Sequence, residues 1–163
     1  MAVDMYLKLD KIEGESPDDK HKGEIEVLSW NWGATQSGTT HQGSGGGSGR
    51  VEVQDLTITK YLDKSSPALF LHTCNGQHIP TAVLTLRKAG GAKALEYFKV
   101  TMENVIITSY RTGGSSSDDR VTESVTLNFG LAKVEYVPQN KDGGGLPTIQ
   151  KGWDISANKD AGG

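Results

Sequence analysis

The feature that most constrains this chain is a switch of phase inside its alternating segments. Ile25 and Val27 give way to Leu28, Trp30 and Trp32, and Val51 and Val53 to Leu56 and Ile58. Phe98, Val100 and Met102 give way to Val105 and Ile107, and Val125, Leu127, Phe129 and Leu131 to Val134 and Tyr136. Alternation of apolar and polar residues marks half-buried strands, and a shift by one residue moves a side chain to the opposite face. Repeated switches therefore predict bulges or bends where one strand passes from one sheet to another. Strands are expected near Met5 to Ile12, Glu24 to Gln36, Arg50 to Tyr61, Ile79 to Lys88, Leu95 to Tyr110, Arg120 to Val137 and Gly152 to Ser156. The fold class that fits is mostly β: a compact antiparallel β-barrel, closed or nearly so, with one short flanking α-helix. A plain sandwich, buried on both faces in places, is the alternative.

The helix is predicted in SSPALFLHTCNG, with Ser66 as N-cap, Pro67 where a first turn tolerates proline, and Asn75-Gly76 as the stop. At about two turns it must be held by tertiary contacts, with Leu69, Phe70 and Cys74 packed against a sheet.

Glycine accounts for 21 of the 163 residues, almost twice the usual ~7%. The densest run lies in Ser37, Gly38, Thr39, Thr40, His41, Gln42, Gly43, Ser44, Gly45, Gly46, Gly47, Ser48 and Gly49. A phosphate loop would end in Gly-Lys-Ser/Thr and open a helix, whereas this run ends in Gly49-Arg50 and opens a strand. Nor does it read as a domain linker, because GEIEVLSWNWGATQS before it is too short to fold alone. The remaining readings are a long hairpin loop or a hairpin arm that reaches a neighbouring subunit.

Chemistry is sparse. His72, Cys74 and His78 form the only grouping of a cysteine with histidines, and they do not make a zinc pattern. Asp118 and Asp119 follow a Gly-Ser stretch and read as a solvated turn rather than paired catalytic carboxylates. No nucleophile elbow is present. The chain is read as no enzyme, with no cofactor and no metal. Seventeen basic against twenty acidic residues leave no basic footprint for nucleic acid. No apolar run approaches the ~20 residues needed to span a bilayer, and the first residues show no secretory signal, so a soluble cytoplasmic product is expected. One cysteine excludes an internal disulfide. Trp30 and Trp32 flank Asn31, so the tryptophans share one strand face, read as core, and Asn31 points the other way.

The order MAVDMYLKLDKIEGES, EIEVLSWNWGATQSG, VQDLTITKYLDKSSPALFLHTCNGQHIPTAVLTLRKAGG, RVTESVTLNFGLAKVEY and a late GWDIS resembles the Hcp family, the hemolysin-coregulated proteins of type VI secretion. The resemblance covers nearly the whole chain, residues 1–163 as one domain, and is weakest over 139–163. It implies a β-barrel subunit of a homohexameric ring, with rings stacked into a tube inside a contractile sheath and capped by a spike. It also implies export without a signal peptide, into the medium or a target cell, and small effector proteins carried in the lumen. A 163-residue globule is about 40 Å across, and six touching spheres leave a hole of about the same width. With that resemblance, Ser37 to Gly49 is expected to be a ring-stacking arm and Asn31 a lumen residue contacting effectors. The competing reading is a monomeric β-sandwich module that binds carbohydrate or peptide.

Overall fold

The structure is a computed structural model that describes residues 3–38, 49–88 and 94–162. It consists of β1 (Val3–Leu9), β2 (Ile25–Glu26), β3 (Ser29–Asn31), β4 (Ala34–Thr35), β5 (Glu52–Val53), β6 (Leu56–Tyr61), α1 (Ser66–Asn75), β7 (Ile79–Lys88), β8 (Glu96–Gly113), β9 (Thr122–Tyr136), β10 (Ile149–Asp154) and β11 (Lys159–Asp160). Among the described residues the chain is mostly β with one short helix, as the alternation requires. Every ladder among the described residues is antiparallel.

The main sheet runs β11-β10-β9-β8-β7-β1-β2, and β6 joins it on β9 with β3 beyond. β6 and β10 share one edge of β9: β6 pairs with residues 122–127 and β10 with residues 131–136. The expected single strand from Glu24 to Gln36 is instead three pieces. Its first phase switch is a change of partner, because the Val27 N–H donates to Met5 O at 2.9 Å while the next N–H, of Leu28, donates to Thr59 O at 2.7 Å. The segment thus leaves β1 for β6 in one step. No continuous ladder closes the barrel at this point; the chain itself carries the turn. The expected strand from Arg50 to Tyr61 likewise breaks at Gln54-Asp55 into β5 and β6.

The switches read in the segments of β8 and β9 belong to one crease that also crosses β7, where none was expected, and in β9 it falls after Phe129 rather than after Leu131, which is only half-buried. Ile79, Val105 and Phe129 are in register and buried, and so are Ala82, Met102 and Ala132. Two residues separate the members of each strand, so the buried phase flips in all three together. Asn104 lies in that gap with φ 57°, a left-handed conformation that asparagine tolerates better than most residues. Further register shifts fall between Leu86 and Arg87 and between Ile107 and Ser109. Among the described residues, all buried apolar side chains but Tyr6 form one core cluster spanning both sides of the crease.

The helix begins at Ser66, with Ser65 at the cap position and no side-chain capping bond, so the expected Ser66 cap is one residue late. Pro67 opens it and Gly76 ends it with φ 66°, its N–H donating to His72 O at 3.0 Å. Only Leu69 of the three expected packing residues is buried; Phe70 and Cys74 are exposed. Burial of Leu69 contributes about 1.5–3 kcal/mol. Phe70 meets the edge of Tyr110 with centroids 6.1 Å apart, so it leans on β8 without entering the core. The last expected strand lies earlier than read, at Ile149–Asp154, and pairs with β9 from Leu131 to Tyr136.

Candidate functional site

Asn31 is exposed at the end of β3, opposite Thr57 of β6. The tryptophans on either side turn inward. Trp30 stacks on Phe98 at 5.7 Å and Trp32 tilts on Phe129 at 6.0 Å, while Trp32 Nε1 donates to Gln54 O at 2.9 Å. Both are only partly buried, so they line the margin of the core.

Beyond Trp32 the chain forms a two-stranded ribbon, Ala34 opposite Val53 and Thr35 opposite Glu52. The Gly49 N–H donates to Ser37 O at 3.4 Å. A Cβ on Gly49 would fall 1.9 Å from Ser37 Oγ, so a larger residue there would require that hydroxyl to rotate away. Of the expected arm, Ser37, Gly38 and Gly49 are exposed at this stem, and Thr39 to Ser48 lie outside the described residues. Between the ribbon and β9–β10 lies an apolar groove of about 430 Å³, lined chiefly by Trp32, Val51, Val53, Val134, Trp153 and Ile155.

His72, Cys74 and His78 are not brought together as a site. His72 Nδ1 lies 2.8 Å from Ala68 O, His78 Nδ1 lies 2.7 Å from Asn104 Oδ1, and Cys74 is exposed. Among the described residues no group of three or more His, Cys, Asp or Glu could hold a metal ion. Asp118 closes a turn by accepting the Ser115 N–H at 3.0 Å.

Two buried ionic clusters were not anticipated. In the first, Lys60 Nζ lies 2.7 Å from Glu123 Oε2, 3.0 Å from Asp63 Oδ1 and 3.4 Å from Ser66 Oγ. Tyr110 donates its hydroxyl to Glu123 Oε1 at 2.7 Å. Burial, reinforced by that hydrogen bond, pushes the Tyr110 hydroxyl up to about 12. The signal was present: Lys60 keeps the phase of Leu56 and Ile58, and Glu123 that of Val125 and Leu127, so each charge occupies a core position.

In the second, Arg87 donates to Asp18 Oδ1 and Oδ2 at 3.0 and 2.6 Å, to Asp4 at 3.0 Å and to the Tyr6 hydroxyl at 2.9 Å. The hydrogen bond from Arg87, together with the Lys20 and His21 N–H groups, holds the Asp18 carboxyl well below the usual carboxylate range. Burial pushes the Tyr6 hydroxyl up to about 12. His21 stacks on Tyr6 at 4.4 Å, with ring nitrogens 2.9 Å from Glu24 and 2.5 Å from Glu96. No pattern could reveal it, because Asp18 and His21 sit in a loop. Both clusters join elements to one another and neither opens into the groove, so the arrangement is structural.

Residues 6–136 match the family described as "Type VI secretion system effector, Hcp". The chain belongs to the Hcp family. It is 50% identical over 163 residues to "Protein hcp1" of Pseudomonas aeruginosa, covering 99% of this chain and 100% of that protein. Among solved structures it is similar to Hcp1 from Salmonella typhimurium, with TM-score 0.81, 45% identity and coverage of 98% of this chain and 99% of that one. A structure described as a type six secretion system protein gives TM-score 0.91 at 35% identity, with the same coverage. The family match covers the ribbon and the crease, and the similarity to these relatives continues through β10.

Proposed function

We propose that this chain is the structural subunit of a type VI secretion inner tube. Six copies close into a ring, rings stack inside a contractile sheath beneath a spike protein, and the tube is driven out of the cell. The subunit works without a cofactor, and small effector proteins ride noncovalently in the lumen. Asn31 faces that lumen, and the segment from Ser37 to Gly49 bridges stacked rings. The observation that carries this reading is the match to Hcp relatives along the whole chain. The site chemistry agrees with it: its charged side chains are spent on joining β6, β9 and α1, and β1, β7 and the loop before β2. An exposed ribbon stem with an apolar groove beside it suits contact between copies better than turnover of a substrate.

Negative-stain images of the purified protein test the assignment. Six-fold rings are expected, and uniform particles of monomer size that bind a sugar or peptide would overturn it.

A further inference from the structure

We infer that His21 is a proton-operated catch: its imidazolium ties the loop of residues 13–24 to the first residue of β8, and loss of one ring proton releases that tie while Asp18 keeps the loop hinged on Arg87. The inference is independent of ring formation, since every group it uses lies within one chain. Its ground is what each ring nitrogen faces. His21 Nδ1 lies 2.9 Å from Glu24 Oε2, and Nε2 lies 2.5 Å from Glu96 Oε1. An ionised carboxylate only accepts, whereas a neutral imidazole has one donor nitrogen and one acceptor. Both contacts can be hydrogen bonds only when both nitrogens carry protons. The neutral ring donates to one carboxylate and must point a lone pair at the other.

The surroundings hold the ring in place. His21 is buried and lies flat on Tyr6, with ring centroids 4.4 Å apart and planes 9° from parallel. A cation is attracted to an aromatic face, so the stack also favours the imidazolium. Every neighbouring element brings a charge: Asp18 and Glu24 in the loop, Asp4 on β1, Glu26 opposite Tyr6 on β2, Arg87 on β7, and Glu96 and Lys99 on β8. Lys20 and Lys22, beside His21 in the loop, are exposed. Arg87 opposes the imidazolium, its guanidinium 5.2 Å from the Tyr6 ring centre, but Asp18 and Asp4 both pair with it, at 2.6 and 3.0 Å. Lys99 lies 3.7 Å from the other Glu96 oxygen, so Glu96 keeps a partner when the imidazole lets go.

Two of these groups keep their charge state across the neutral range. The hydrogen bond from Arg87 holds Asp18 ionised, and burial holds Tyr6 protonated. Imidazole is the side chain that changes charge in that range. The two ties of the loop therefore respond differently: the Asp18 contact with Arg87 persists, and the His21 contact with Glu96 opens as pH rises. Glu96 stands opposite Arg87 just past a register shift in the β7–β8 pairing, so the catch grips that hairpin at its irregular end. The loop is closed on itself by the Gly14 N–H donating to Gly23 O at 2.8 Å and the Ser16 N–H to Glu24 O at 3.0 Å. Release of His21 should thus loosen the residues after Asp18 rather than unfold the sheet.

Hydrogen–deuterium exchange of the full-length protein at about pH 5.5 and about pH 8.5, corrected for the intrinsic pH dependence of amide exchange, tests the catch. Amides of residues 19–24 should exchange roughly tenfold faster at the higher pH, as expected for loss of a hydrogen bond to a charged group. Those of α1 should not change. Glu96→Gln should abolish the response and keep the loop protected at both values, because its amide accepts from the imidazolium and donates to the neutral ring. His21→Phe, which can stack on Tyr6 but has no ring N–H, should exchange fast at both. If that variant does not fold, Glu96→Gln decides alone. Equal rates at the two pH values in wild type, or a wild-type response in Glu96→Gln, would overturn the inference. Either result leaves the tube reading standing, since that reading is tested by ring images.

Discussion

Lys60 and Glu123 stand directly opposite each other on β6 and β9, both with no exposed side-chain surface, and their charges meet at 2.7 Å. The pair ties the sheet to the first turn of α1 through Ser66 and to β8 through Tyr110. A buried pair of this kind gains little over an apolar pair of similar size, but removing one partner strands a charge in the core. Lys60→Met and Glu123→Leu should each lower stability by about 3–5 kcal/mol. The double variant should recover much of the loss. Denaturant unfolding of all four proteins checks this, and losses that simply add would show that the two residues are not coupled.

Stability should fall on the acid side by way of Asp18. Its carboxyl titrates lower in the folded protein than in the unfolded chain, because Arg87 hydrogen-bonds the charged form. The contribution is therefore complete above the ordinary aspartate value of about 4 and is lost as pH falls below it. Asp18→Asn should be less stable than wild type at neutral pH, and the gap should narrow as pH drops toward 2. A gap that stays constant with pH would separate the Asp18 contact from acid sensitivity. Thermal melting at a series of pH values makes the measurement.

The crease depends on Asn104, whose φ of 57° is costly for a side chain branched at Cβ. Asn104→Gly should retain most of the stability, losing only the contact with His78. Asn104→Val should lose about 1–2 kcal/mol or more relative to the Gly variant. Equal unfolding midpoints for the two variants would mean that the backbone does not need this conformation.

Shortening His41 to Gly49 to a tight turn tests the arm. The ribbon pairs, Ala34 with Val53 and Thr35 with Glu52, would remain, and the new turn would replace the Gly49–Ser37 contact. Rings should persist on size-exclusion chromatography, and accumulation of the protein in the medium should cease. Normal export by this variant would reduce the glycine run to a passive connection.

Much of this molecule follows from local pattern alone. Alternation identified β7 at its observed ends, and the phase switches located the partner change after Val27, the break before Leu56 and the crease around Asn104. Pro67 and Gly76 marked the helix, because fixed φ at one end and a left-handed turn at the other are properties of the residues themselves. The order of motifs sufficed to place the chain in its family. Local pattern could not say that Phe70 and Cys74 stay exposed while Leu69 is covered, since a helix of three turns buries only the stripe its neighbours reach. Nor could it say which strand each half of residues 25–31 would join, or that β6 and β10 would divide one edge of β9. The pairing of Lys60 with Glu123, and of Arg87 with Asp18, was decided only when residues 63 and 69 positions apart were brought within hydrogen-bond reach. Hydrophobic phase records which face of a strand is buried; only the folded sheet decides which strand lies beside it and which charges that brings together.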